Sequence, residues 1–182
     1  GKGVAYCVTC DGPIFRNKNV AIDRGGNAGL ESAIFMENYA SKIYVLEFGN
    51  EIKADQTNQE TVRNSEKIEI ITNAEVKEIK GEKFVNSIVY KDTDSGEEKK
   101  LDVQGIFIAV GYRPATEIAE GLAELNKRKE IKVDFKTLQS HTPGFFAAGD
   151  VNEGRYKQIV IACGEGCKAA LSVYEYLQKQ KA

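Results

Sequence analysis

Asn19-Val20-Ala21-Ile22-Asp23-Arg24-Gly25-Gly26-Asn27-Ala28-Gly29-Leu30-Glu31 is the stretch on which the fold turns. A short apolar run enters a glycine-rich turn and leaves it as a helix-forming segment, and Ile43-Tyr44-Val45-Leu46-Glu47 then supplies another strand. Strand, turn, helix and strand make a βαβ unit, which places the chain in the α/β class with a parallel sheet. In the helix, read over Leu30 to Ala40, Leu30, Ala33 and Ile34 stand at helical spacing, with Glu37 and Asn38 one turn on. An apolar stripe therefore faces the sheet and a polar one faces water. A glycine turn that opens a helix is also where backbone amides and the helix dipole meet a pyrophosphate. In that frame Gly26 permits close backbone approach and Gly29 permits close helix packing, while Arg24 holds the first glycine position. Asp23 adds a carboxylate where an apolar strand residue is expected. Glu47, about 20 residues downstream, is placed to accept hydrogen bonds from an adenosine ribose. Its plainer reading is a strand-end carboxylate in water.

Outward from this unit, Thr61 to Glu66 is polar and closes a helix. Ile68 to Thr72, Ala74 to Ile79 and Phe84 to Tyr90 read as antiparallel strands laid over the parallel sheet, with turn clusters at Lys80-Gly81-Glu82 and Asp92 to Glu97. Leu101 to Val103 and Gly105 to Val110 continue as strands, the second nearly all apolar and so buried on both faces. A boundary falls at Tyr112-Arg113-Pro114-Ala115. Beyond it come a polar stretch from Glu117 to Glu130, a strand pair over Ile131 to Phe135 and Phe145 to Ala148, and a helix over Gln158 to Leu177 packed tightly at its start. The reading gives a first segment over 1–16, a nucleotide-type domain over 17–111 and a third region over 112–182.

The 182 residues carry a net charge of −2, with 42% hydrophobic and 29% charged positions, which excludes disordered and collagen-like classes. Without a basic field, nucleic acid is a poor partner. No apolar run approaches the roughly 20 residues of a membrane span, and the opening residues lack a signal peptide's apolar stretch, so the expected location is the cytoplasm. Four cysteines form two local pairs. Cys7-Val8-Thr9-Cys10-Asp11 spaces two thiols so that they can close a small disulfide ring and exchange it. The same spacing is half of a zinc site, but with no second Cys-x-x-Cys and with His141 as the single histidine the remaining ligands are short. Cys163 and Cys167, one helical turn apart among small residues, read as small buried side chains, and His141 as a loop residue.

Tyr6-Cys7-Val8-Thr9-Cys10-Asp11-Gly12, the turn Gly25-Gly26-Asn27-Ala28-Gly29-Leu30-Glu31, Ala109-Val110-Gly111-Tyr112-Arg113-Pro114, Thr142 to Val151 and Tyr156-Lys157-Gln158-Ile159 follow one another in the order found in low-molecular-weight thioredoxin reductases. The chain resembles that family over its whole length. Leu46-Glu47-Phe48 and Glu51 to Gln56 make it still more similar to the flavoprotein component of bacterial alkyl hydroperoxide reductase. The resemblance implies a Rossmann-like NAD(P)-binding domain, a parallel sheet with an antiparallel β-meander, joined to the C-terminal part of an FAD-binding domain. It implies an FAD-dependent pyridine nucleotide-disulfide oxidoreductase, in which electrons pass from NADH through FAD to a Cys7/Cys10 disulfide. The final acceptor is then a thioredoxin-like or peroxiredoxin-system disulfide protein. By the same resemblance Cys7 attacks the partner, Cys10 lies against the flavin and Asp11 is the acid/base. Cofactor contacts are carried over to Gly25, Gly26, Asn27, Ala28, Gly29, Glu31, Glu47, Phe48, Val110 and Gly111, and to Gly149, Asp150, Val151, Lys157, Gln158 and Ile159. A homodimer is usual in the family.

Two departures set further expectations. The family's flavin domain opens with its own glycine fingerprint ahead of the cysteine pair, and this chain starts six residues before Cys7. The expectation is a C-terminal fragment or split piece that does not by itself hold FAD in the family's manner. Arg24 is expected to strain the turn and weaken NADH binding. Against these stand a non-catalytic nucleotide-binding or interaction module that has lost its redox cycle, and a zinc-binding structural domain.

Overall fold

Successive side chains of the first long strand are buried on alternate faces: Val20 and Ile22 join one apolar cluster and Ala21 the other, so the strand is covered on both faces. The computed structural model describes residues 1–181. Its chain divides into two compact units, one ending at Gly111 and one beginning at Tyr112.

In the first unit β1 (Val4–Ala5), β2 (Asn19–Asp23), β3 (Lys42–Leu46), β4 (Ile68–Ile71) and β8 (Gly105–Ile108) form a parallel sheet in the order β1-β8-β2-β3-β4. β5 (Ala74–Gly81), β6 (Val85–Asp92) and β7 (Glu98–Leu101) form an antiparallel meander. α1 (Val8–Asp11), α2 (Asn27–Met36) and α3 (Gln56–Arg63) complete the unit. Leu30, Ala33 and Met36 of α2 bury against Val20, Ile22, Ile43, Val45 and Phe107. On the other face Ala21, Leu46 and Ile106 pack with Val85, Ile88 and Tyr90 of the meander. Each large side chain so buried stabilises the fold by about 1.5–3 kcal/mol.

Several expected elements differ. Ile68–Ile71 is not antiparallel: it pairs parallel with β3, because α3 supplies the crossover a parallel partner needs. That helix does close within the polar stretch, at Arg63, and begins at Gln56, where the Asp55 carboxylate caps it by accepting from the Asn58 N–H at 2.9 Å. α2 stops at Met36 rather than Ala40. The following chain turns to pair with another backbone segment, Asn17 N–H donating to Tyr39 O and Ser41 N–H to Lys18 O. The strand read at Leu101 to Val103 ends at Leu101, and β8 ends at Ile108 rather than Val110.

In the second unit the expected strand pair is absent among the described residues. Residues 125–152 make only single bridges, such as Val133 with Ser140 and Gln139 with Phe146. The cause is local: Leu138 takes φ +61, and Asp134 draws Lys136 and Thr137 into a tight turn. A small core of Ala119, Ile131 and Ala147, flanked by Leu125, Val133, Phe145 and Val151, holds the unit. α4 (Ile159–Lys181) has no buried residue. It is therefore not packed tightly at its start, and Cys163 and Cys167 are exposed free thiols, not buried small side chains. No helix among the described residues is long and apolar enough to cross a membrane.

Candidate functional site

β1 runs parallel to β8 with Ala5 opposite Phe107, so the chain leaves the sheet at its carboxyl edge just before Cys7. Cys7 is the N-cap of α1, its Sγ accepting from the Cys10 N–H at 3.2 Å. One helical turn brings the two Cα atoms to 5.3 Å, and a disulfide joins Cys7 to Cys10, well within the span such a bond tolerates. Cys10 is exposed, Cys7 and Asp11 half-buried. Asp11 closes α1 and lines a hollow of about 310 Å3 together with Val4, Phe15, Lys18, Val85 and Gln104.

Two strands along the same edge, roughly 10 Å by strand spacing, β2 ends in Asp23 and the glycine turn. Arg24 sits at φ +93, in the left-handed region that favours glycine. Its N–H donates to Leu46 O at 2.8 Å. Gly26 caps α2, and a Cβ built there meets nothing within 4 Å; at Gly29 it would lie 1.9 Å from Arg24 O. The first glycine leaves a cradle open to a ligand, and the second lets helix and turn touch. Asn27 Oδ1 accepts from the Asp55 N–H at 2.7 Å, tying the turn to the loop before α3, while Ala28 on the first turn of α2 and Glu31 just after it are exposed.

Glu47 follows β3. Its two carboxylate oxygens accept from the Gly25 and Gly49 N–H groups, each at 2.8 Å, so one side chain staples both loops of the crevice. Burial pushes the Asp23 carboxyl above its usual range; Arg24 pulls it back in part and Glu47 pushes it up again. Phe48 is exposed beside Glu47, and Val110 and Gly111 are exposed beyond β8 on the same edge. Cys7, Cys10, Asp11 and the nucleotide-type residues thus share one unit and one edge of one sheet, the edge where open α/β sheets take ligands.

In the second unit Gly149 (φ +77), Asp150 and Val151 form a 3-10 turn. Glu165 Oε2 accepts from the Gly149 N–H at 2.8 Å and from Asn152 Nδ2 at 2.6 Å. Lys157 Nζ donates to the carbonyls of Asp150 and Asn152 and pairs with Glu130 at 3.0 Å. Its ammonium is thus drawn into the protein, whereas the Asp150 side chain is exposed. Gln158 precedes α4, and Ile159 at the head of the helix is 86% exposed. Glu130 is buried and also accepts from Tyr112 Oη and Asn126 Nδ2. Burial alone would push its carboxyl up, but hydrogen bonds from Asn126, Tyr112 and Lys157 hold it down to about 2. Glu130, Glu165 and Asn152 were missed in the sequence, where none stands in a recognisable spacing. His141 is exposed in a loop.

The model of a family described as pyridine nucleotide-disulphide oxidoreductase matches residues 1–166. An NADH dehydrogenase of Bacillus subtilis (strain 168) is 45% identical over 176 residues, 97% of this chain and 34% of that protein. A component of the alkyl hydroperoxide reductase of Staphylococcus aureus (strain MRSA252) is 43% identical over the same shares. Among solved structures, the thioredoxin reductase from Streptococcus pyogenes MGAS5005 superposes with a TM-score of 0.93 at 31% identity, over 98% of this chain and 58% of that one. That from Giardia duodenalis gives 0.87 at 33%, over 97% and 58%. The chain spans about a third of the length of the curated relatives it matches.

Proposed function

Since the chain belongs to the pyridine nucleotide-disulphide oxidoreductase family, we propose that it carries the redox disulfide and the nicotinamide-nucleotide fold of an NADH-dependent flavoprotein disulfide reductase. The observation that carries this reading is the Cys7–Cys10 disulfide standing on the same sheet edge as the open Gly26 cradle. When bound, NADH and FAD supply the hydride and the electron relay that reduce this disulfide.

Gly26 and the amides that open α2 fit a pyrophosphate, with Gly25, Asn27 and Ala28 lining the turn and Gly29 seating the helix. Glu47 keeps lone pairs for ribose hydroxyls while it holds Gly25 and Gly49, and its charge repels a 2′-phosphate, so NADH is preferred to NADPH. Glu31, Phe48, Val110 and Gly111 complete the cofactor contacts in this unit. Gly149, Asp150 and Val151, with Gln158 and Ile159, fit the flavin side, where the free Asp150 carboxylate takes hydroxyls and Lys157 holds the turn from behind.

With two electrons and two protons taken up, Cys7–Cys10 becomes a dithiol. The Cys7 thiolate then attacks a disulfide of a thioredoxin-like or peroxiredoxin-system protein, forming a mixed disulfide and releasing one partner thiolate. Cys10 displaces the second, re-forming Cys7–Cys10, while Asp11 supplies or accepts the proton.

Trapping tests the reading. With Cys163 and Cys167 replaced by Ser, reduced Cys10→Ser protein should form a stable mixed disulfide through Cys7 with a thioredoxin-like protein that keeps only its attacking cysteine, activated as a mixed aryl disulfide, and Cys7→Ser should not. Failure of both to trap would favour a second reading, a non-catalytic nucleotide-binding or interaction module, to which the strained Arg24 lends some weight. Tighter binding of NADPH than of NADH in calorimetric titration would remove Glu47 from the ribose.

A further inference from the structure

The turn 126–130 of the second unit is built as a rigid platform. Asn126 Oδ1 accepts from the Arg128 and Glu130 N–H groups at 2.8 and 3.0 Å, and Asn126 N–H donates to Glu130 O at 2.8 Å. The platform holds the exposed side chains of Lys127 and Arg128 beside Arg155, and the three line an open hollow of about 440 Å3 with Asn126, Glu130 and Glu153. None of these three cations forms an ion pair among the described residues, unlike Arg113, Lys132 and Lys157 nearby. Of the two acids in the wall, Glu130 is spent inward on Lys157, Tyr112 and Asn126. Three cations therefore face one remaining carboxylate, on a chain whose net charge is −2. Arg155 also stacks on the exposed ring of Tyr156 at 5.3 Å.

We propose that this hollow docks an acidic segment of a protein partner, a loop or helix presenting several Asp or Glu side chains to Lys127, Arg128 and Arg155. Two features favour carboxylates on a protein over a phosphate group. Phosphate sites use converging backbone amides, and here the Arg128 and Glu130 amides are consumed by Asn126. The donors left are long side chains spread around a shallow hollow, which suit several carboxylates along one segment better than a single compact phosphate, while the two guanidinium forks match either anion. A rigid turn lowers the ordering cost of the contact, and Arg beside an exposed Tyr is the composition that protein interfaces favour. The surface is independent of the electron-transfer reading and survives if that reading fails.

Fluorescence anisotropy with a labelled peptide of alternating Glu and Ser tests it. Binding is expected at low salt, weakening by about tenfold when ionic strength rises to about 0.15 M, where the screening length is about 8 Å. Arg128→Glu with Arg155→Glu should abolish it, while Lys53→Glu with Lys83→Glu, an equal charge change on exposed side chains of the first unit, should leave it nearly intact. Circular dichroism checks that each variant is folded. Equal losses in the two double variants would show attraction by net charge alone and overturn the proposal. So would no binding at low salt, or displacement of the peptide by inorganic tripolyphosphate at lower concentration than by unlabelled peptide.

Discussion

Arg24, in the turn proposed to take a dinucleotide, has a glycine's backbone conformation, φ +93. A non-glycine residue there costs of order 1–3 kcal/mol. Arg24→Gly removes that strain but frees the unfolded chain by about 0.4–1 kcal/mol, so denaturant melts should show a net gain of about 1 kcal/mol. Calorimetry should show tighter NADH binding by Arg24→Gly, and tighter still with Asp23→Ile, which deletes a carboxylate beside the turn proposed to hold the pyrophosphate. If instead Arg24 pairs with the phosphates, Arg24→Gly loses about 1.5–3 kcal/mol of charge-assisted contact, and weaker binding would decide for that account. The two neighbouring glycines should separate cleanly. Gly29→Ala drives a Cβ into Arg24 O and should lower stability by about 1–3 kcal/mol. Gly26→Ala, with φ −75 and open space around it, should fold like wild type and lose nucleotide affinity; equal destabilisation by both would refute the division of roles.

Elements were legible where local signals agree, and misread where the deciding partner is far along the chain. Ile68–Ile71 has the same apolar pattern whether its neighbour runs parallel or antiparallel, and only pairing with β3 settled the direction. Ile131 to Phe135 looks like a strand by alternation, yet the turn at Asp134 and the φ of Leu138 break the ladder. What secures this region instead is a polar knot. Glu130 is depressed from 4.5 to about 2. An acid so depressed contributes stability that is full above about pH 4.5 and lost as pH falls through about 2. Wild type should therefore be more stable than Glu130→Gln near neutrality, with the gap closing over that window in denaturant melts. Asp92 titrates in the same range, so the difference between the two proteins, not the wild-type curve, is the readout. A gap that stays constant with pH would show that Glu130 acts by shape alone.

At the scale of the whole molecule, the two units offer unequal prospects for cofactors. The first encloses its crevice between the glycine turn and the Glu47 staple. In the second, Asp150 is exposed and Ile159 and Val160 at the head of α4 are 86% and 77% exposed, so the residues proposed for the flavin lie open to water. Reconstitution with excess FAD followed by gel filtration should leave well under one flavin per chain. A yellow protein carrying close to one would contradict this.

The βαβ unit and the Cys-x-x-Cys pair followed from sequence alone, because each rests on local signals that covalent geometry and hydrogen bonding decide, and the family followed from the order of several such motifs along the chain. Tertiary structure alone decided that Cys7–Cys10 and the glycine turn share one sheet edge. That placement depends on β1 pairing with β8, about a hundred residues away, and chain pattern does not encode strand order. It alone also showed Glu47 spanning two loops and Glu130 gathering Lys157, Tyr112 and Asn126. A carboxylate's partners are set by which donors the fold leaves nearest to it once water is excluded, and those donors lie on separate segments that meet only when the chain has folded.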